Sequence, residues 1–211
     1  MVTILSVNVG APQPLIANNK VMQSGIFKRP VAGPVPVQRA GLAGDTIIHG
    51  LEGGERAVYA YPSEHYALWR EEFPEMELPF GTLAENLTTE GIFDEQVHIG
   101  DRYQVGSALL TVTQPRMPCY KLAARLNRPD IIQRMIAVKR HGFFCSVTKE
   151  GSVNVGDTLQ LVHREPESIT ILEAAALYTG RDRNPELLER ALAQAALPKK
   201  WKDKLAERVP A

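Results

Sequence analysis

Cysteine is scarce in this chain. Two thiols in 211 residues, Cys119 and Cys145, are too few for a disulfide framework. No apolar run approaches the roughly 18 residues that a membrane-spanning helix needs. Neither charge is in excess, because 24 Lys plus Arg offset 24 Asp plus Glu. A neutral chain argues against a nucleic-acid or anionic-membrane partner, since phosphate surfaces are held by a surplus of cations. The opening residues, MVTILSVNVGAPQP, lack a basic n-region and a small-residue cleavage site, so no signal peptide is expected. Free thiols without an export signal suit the reducing cytoplasm, which is the expected location. Several motifs are also missing. There is no P-loop spacing, no dinucleotide fingerprint and no nucleophile elbow. None of the five histidines has the i, i+4 pairing or Cys/His clustering of a zinc site. No internal repeat or low-complexity tract interrupts the chain.

What remains is an ordinary core-forming composition, 44% hydrophobic and 23% charged, in a length that suits one large domain or a main domain with an appendage. Residues 1–165 read as short strands between turns: TILSVNVG, VAGPVPV, RAVYAY, QVHIG, DRYQVG, ALLTVTQ, FFCSVTKEG, SVNVGD and TLQLVH. Many short strands at turn-marked intervals favour a barrel or sandwich over a parallel βαβ sheet. Two helical interruptions are predicted, PSEHYALWREEFP and an amphipathic stretch from Tyr120 to Val138 broken near Pro129. Residues 166–211 read differently. Thr170 and Glu173 have capping-box spacing, Asn184–Pro185 is an N-cap followed by proline at the first helical position, and PKKWKDKLAERV adds a third helix. The expected fold is therefore β-rich α+β, a barrel domain (1–165) with a small three-helix appendage (166–211). The appendage packs on the barrel or on a second subunit, which leaves a homodimer open.

The stretch QPRMPCYKL carries the most chemistry. A thiol acts as nucleophile or metal ligand in its thiolate form, which nearby cations favour, and Arg116 and Lys121 flank Cys119. The same residue is compatible with plain packing as a small hydrophobe. Cys145, in FFCSV, alternates with bulky apolar residues and reads as core. Between Arg116 and Arg140 seven cations accompany one carboxylate, Asp130. Arg125, Arg128 and Arg134 suit the solvated face of a helix, whereas Arg116 and Arg140 flank strands and suit an anion grip. GLAGDTIIHGLEGGERAVYAYP has five glycines, which implies tight turns and close backbone approach. PFGTLAENLTTEG reads as a capped turn carrying Glu85, Asn86 and Thr88.

Taken in order, GIFKRPVAGPVPV, GLAGD, RAVYAYPSEHYALW, FGTLAENLTTEG, TQPRMPCYKLAARL and GSVNVGD, followed by the helical tail, resemble the MOSC-domain proteins of the small stand-alone YiiM type. The resemblance covers nearly the whole chain. It implies a MOSC-type β-barrel that holds a molybdenum cofactor, a molybdopterin carrying molybdenum on a dithiolene. It implies reduction of N-hydroxylated small molecules, such as 6-N-hydroxylaminopurine, to the amine, with electrons from a separate donor protein. It makes Cys119 the metal ligand, Arg116, Lys28 and Arg140 the grip on the cofactor phosphate, and Asp45, His49, Glu85 and Asn86 polar contacts to pterin or substrate. A cofactor or sulfur carrier without turnover is the alternative. Three departures stand out: two residues inserted in the FGTLAEN block, Leu51–Glu52 separating His49–Gly50 from Gly53–Gly54, and Phe144 and Ser146 standing where the family has a tyrosine and an arginine. One hydroxyl and one cation fewer are expected at the site.

Overall fold

The computed structural model describes residues 1–45 and 54–208. Seven strands close a barrel. Going round it they are β13 (Thr158–His163), β9 (Arg102–Val105), β10 (Ala108–Pro115), β11 (Phe143–Lys149), β7 (Val58–Pro62), β8 (Leu87–Glu90) and β1 (Val2–Val9), and β1 pairs back onto β13 through Val2↔Leu159 and Thr3↔Thr158. All neighbours are antiparallel except β7 and β8, which run parallel. Closure matters because it leaves no unpaired edge on the main sheet. The short β4 (Arg29–Pro30) extends β1. A three-stranded sheet of β12 (Gly151–Val153), β5 (Val35–Gln38) and β6 (Gly41–Leu42) and a hairpin of β2 (Gln13–Ala17) and β3 (Lys20–Ser24) stand beside the barrel.

The helices fall where their signals lie. Helix α1 (Glu64–Glu72) buries His65, Tyr66 and Trp69. Helices α2 (Tyr120–Leu126) and α3 (Ile131–Val138) are separated by Asn127 in the left-handed region and the turn at Pro129. The tail holds α4 (Ile171–Thr179), α5 (Pro185–Ala193) and α6 (Lys199–Ala206). Thr170 and Glu173 form the reciprocal capping box, and the Asn184 side chain accepts from the backbone N–H groups of Glu186 and Leu187. No helix among the described residues is long and apolar enough to cross a membrane.

Two apolar clusters hold the molecule. One fills the barrel and runs without a break into the tail, joining Val97, Ile99 and Val112 to Ile169, Ile171, Ala174 and Trp201. Backbone bonds reinforce the join, with Ile99 N–H donating to Ile169 O (2.8 Å) and Ile171 N–H to Val97 O (2.9 Å). The other cluster packs α1, α2 and α3 with the inner face of the hairpin, including Leu15, Trp69 and Leu122.

Three segments differ from the sequence expectation. QVHIG is a turn with a single bridge, His98↔Thr170, because the Asp101 carboxylate takes the His98 N–H (2.9 Å). Leu87–Glu90, expected to be a capped turn, is the strand that pairs parallel with β7. VAGPVPV supplies only β5, outside the barrel, and the β2–β3 hairpin had no sequence expectation at all.

Candidate functional site

The end of β10 and the start of α2 build the centre of the site. Beyond Pro115 the chain passes through Arg116, Met117 and Pro118 to Cys119, which is extended (φ −135°, ψ 165°) and stands as the N-cap of α2. The Cys119 carbonyl accepts from Leu122 N–H, which fixes the residue, and its side chain is half-buried in the wall of a cavity of ≈ 460 Å³. Arg116, Lys28, Asp45 and Asn86 line the same cavity, together with Arg56, Tyr59, Lys121 and Phe144. Cys145, by contrast, lies inside the barrel, where burial pushes its thiol pKa up and leaves it inert.

The charged residues of the wall are held in different ways. Asp45 receives both Lys28 Nζ contacts at 2.5 Å, Gly10 N–H at 2.7 Å and Asn86 Nδ2 at 2.8 Å. Burial lowers the Lys28 pKa, and Asp45 opposes that shift. Lys28 is thus already neutralised by a neighbour. Arg116 is not. It is 5% exposed, its guanidinium lies 5.6 Å from the centre of the Tyr59 ring, and its Nη1 meets no hydrogen-bond acceptor among the described residues. A buried guanidinium that lines a cavity and keeps an unspent donor is a positive charge that favours an anion beside it. The Tyr59 hydroxyl is occupied by His141 O (2.9 Å), so its ring, tilted against Phe144 at 5.1 Å, supplies an aromatic wall.

Some expected site residues lie elsewhere. Glu85 sits beneath the wall, fully buried, where Oε1 accepts from Tyr66 Oη, Gly81 N–H and Thr88 Oγ1 while Oε2 has no partner. Burial raises its pKa in spite of those donors. It braces the 81–88 segment and does not line the cavity. Arg140 is not brought to the cavity either. Lys139, left-handed at φ 58°, ends α3 and turns the chain away, and Phe144 is the residue of this stretch that reaches the site. His49 lies outside the described residues. Arg125, expected on a solvated face, is instead half-buried as a clamp on Ile26 O and Gly81 O, and desolvation lowers its pKa to about 10. Arg128 and Arg134 do pair with surface carboxylates, Asp130, Glu75 and Glu72. Ser146 faces a separate groove between the barrel and the turn joining α5 to α6, so the cation expected there is not missing from this cavity.

Arg56 and Tyr59 carry no site signal in the sequence, whereas Phe144 enters there only as the residue standing in place of a tyrosine. Register brings two of them together, since Phe144 lies directly opposite Tyr59 in the β11–β7 pairing, and Arg56 lies over the Phe144 ring at 5.7 Å. No local motif announces such a pairing. Among the described residues no three His, Cys, Asp or Glu side chains converge as a metal site.

The donor set suits an anionic ligand held beside a soft thiol. Four cations (Lys28, Arg56, Arg116 and Lys121) face one carboxylate (Asp45), and a soft thiol stands among them. Residues 43–160 match the MOSC domain and residues 169–209 match the YiiM-like, 3-alpha helix domain. The protein YiiM of Escherichia coli is 38% identical over 84% of this chain and 81% of its own length. A protein named reductase from Gibberella moniliformis is 38% identical over 78% of this chain, which matches 30% of that longer protein. The crystal structure of YiiM from Geobacillus stearothermophilus superposes over 100% of both chains with a TM-score of 0.84 at 30% identity. The closed barrel, the cysteine at its cavity and the three-helix tail therefore belong together, and the chain is a member of the MOSC-domain family carrying the YiiM-like three-helix domain.

Proposed function

We propose that this protein is a molybdenum-cofactor-dependent reductase that converts N-hydroxylated small molecules, such as 6-N-hydroxylaminopurine, to the amine. The observation that carries the reading is the sharing of one cavity by a half-buried thiol, Cys119, and a buried guanidinium with an unspent donor, Arg116. Membership in the MOSC family and a relative named reductase support it.

The cofactor, when bound, supplies the two-electron centre. Every other task falls to the chain. Cys119 offers the soft sulfur ligand. Arg116 holds the cofactor's phosphate with a planar fork of donors that Lys could not reproduce. The Lys28–Asp45–Asn86 knot fixes one wall and leaves Arg116, Arg56 and Lys121 as the cations free to meet anionic charge. The tilted Tyr59–Phe144 pair gives a flat heteroaromatic substrate a face to lie against. In the reaction the substrate N–O bond breaks, the nitrogen gains a hydrogen and the oxygen leaves as water, which consumes two electrons and two protons. The electrons come from a separate donor.

The test is the molybdenum and pterin content of the protein purified from a cofactor-competent host, beside Cys119→Ser. Serine is a preferred N-cap, so the variant is expected to fold with unchanged thermal stability. Near-stoichiometric metal in the wild type, lost in the variant, is the expected result. Wild-type turnover of hydroxylaminopurine with reduced methyl viologen then completes the case. Metal in neither protein, from a host whose other molybdenum enzymes are loaded, would sink the reading.

A further inference from the structure

The Cys119 cavity holds more positive charge than one bound phosphate uses. Among the described residues Asp45 is the one carboxylate of its lining, and both its oxygens are taken by Lys28 at 2.5 Å. Arg116, 5% exposed, is the deep cation, with the donor best placed for the cofactor's phosphate. Arg56 and Lys121 remain. Both line the cavity, both are half-buried, and neither has an ion pair or a side-chain hydrogen bond among the described residues. Local structure does not call for Lys121 either, since it stands in the first turn of α2, where the helix dipole favours an acid.

The aromatic wall gives the cavity a direction. Tyr59 and Phe144 lie directly opposite each other across β7 and β11, with ring centres 5.1 Å apart. Each ring carries its own guanidinium. Arg116 lies 5.6 Å from the centre of Tyr59, and Arg56 lies 5.7 Å from the centre of Phe144. Burial raises the Tyr59 pKa, and Arg116 and Cys119 are among the charges near enough to act on it, so the thiol belongs to the Tyr59 end. The Phe144 end belongs to Arg56, which is partly open to solvent. A flat molecule on this wall has one edge toward the thiol and the other toward an unmatched cation. Lys121 reaches the same space from α2.

A bare purine offers those two cations no anion. A phosphate monoester carries about −1.5 to −2 charge at pH 7, which two cations match, whereas one carboxylate would leave a cation over. We propose that the substrate is an N-hydroxylated nucleotide, its base on the Tyr59–Phe144 wall, its hydroxylamino group at the Cys119 end and its phosphate held by Arg56 and Lys121. The proposal rests on the reductase reading and narrows its substrate class. Arg56 supplies a planar fork of donors and Lys121 a point charge, and both suit phosphate oxygens. The bond chemistry is that of the free base. The N–O bond is cleaved with two electrons and two protons, giving the amino nucleotide and water, and the phosphate ester is left intact.

The test compares the ribonucleoside of 6-N-hydroxylaminopurine with its 5′-monophosphate as substrates of the cofactor-loaded protein, driven by reduced methyl viologen. The wild type is expected to favour the monophosphate about tenfold in kcat/KM, chiefly through KM. That preference is expected to shrink as ionic strength rises from about 0.05 M to about 0.3 M. Arg56→Gln and Lys121→Gln are each expected to reduce it several-fold, and Arg56→Lys to retain part of it. Because the preference is a ratio within one preparation, a variant's lower cofactor content cancels from it. Equilibrium binding of the two products, adenosine 5′-monophosphate and adenosine, to the same loaded proteins reads the phosphate contact without turnover. A wild type that treats nucleoside and monophosphate alike, or a preference that both glutamine variants keep whole, would overturn the phosphate subsite and leave the reductase reading standing. Turnover of neither, nor of the free base, by the loaded wild type removes both readings together.

Discussion

The guanidinium of Arg116 is buried, rests on the Tyr59 ring and keeps Nη1 without an acceptor. Such a charge costs the folded state more than it returns, because its desolvation is only partly offset. Arg116→Met is therefore expected to leave the cofactor-free protein as stable as the wild type or more so, by about 1 kcal/mol, while its cofactor content falls. Denaturant melts of the cofactor-free proteins and metal analysis of the loaded ones check the two halves separately. His141 gives a second residue-scale expectation. Burial pushes its imidazole pKa down to about 4, against a usual 6.5, and Nδ1 has no partner. The unfolded chain thus binds a proton that the folded chain refuses, so this group's contribution is complete above pH 6.5 and is lost as pH falls towards 4. The loss amounts to about 3 kcal/mol. Glu85, whose pKa burial raises, works in the opposite sense on acidification, so the wild type alone does not isolate the histidine. Comparing urea midpoints of wild type and His141→Asn between pH 7 and pH 4.5 does: the variant is expected to lose less stability over that interval.

Elements differ in how far their sequence announces them. The three tail helices are marked by local chemistry, the Thr170–Glu173 box and the Asn184 cap, and they form where those marks stand. Thr170→Ala is expected to lower stability by about 1 kcal/mol, read as a shift in urea midpoint without change of slope. Strand β8 was less legible. Its pairing depends on Asn86, which takes the Tyr59 N–H through its side chain (3.0 Å) and gives its own N–H to Tyr59 O (2.8 Å), contacts between residues far apart in the chain. The hairpin β2–β3 was hidden by Pro12 and Pro14 on its first arm, although the Asn18–Asn19 pair was a turn signal in plain view. At the site, Cys119 and Arg116 could be read because they are neighbours in sequence. Tyr59 could not, since only strand register makes it a neighbour of Phe144. The turn before β11 is equally non-local: Asp94 holds the N–H groups of His141 and Gly142, and Gly142 O receives the Arg116 N–H. Gly142 has φ +62°, and an added Cβ would lie 2.6 Å from Ala60 O and 2.7 Å from the Tyr61 ring. Gly142→Ala is thus expected to disturb both the fold and the setting of Arg116, seen as a lowered melting temperature together with reduced cofactor content.

At the scale of the whole molecule, barrel and tail are one cooperative body, because a single apolar cluster and paired backbone bonds cross the junction. A scanning calorimeter should record one unfolding transition for the full chain. A chain ending at residue 165 would bare Val97, Ile99 and Val112, each giving up about 1.5–3 kcal/mol of burial, and is expected to be recovered aggregated or unfolded.

The pairing of Val2 with Leu159 has one more consequence, and it concerns how the molecule is made. Strand β1 must wait for β13 before the ring can shut, and the other five barrel strands are synthesised between them. At about 5–20 residues per second that interval lasts on the order of ten seconds or more. Throughout it, β1 exposes a sticky, unpaired rim to the crowded cell. Growing chains are therefore most vulnerable along the edge of β1 that awaits β13.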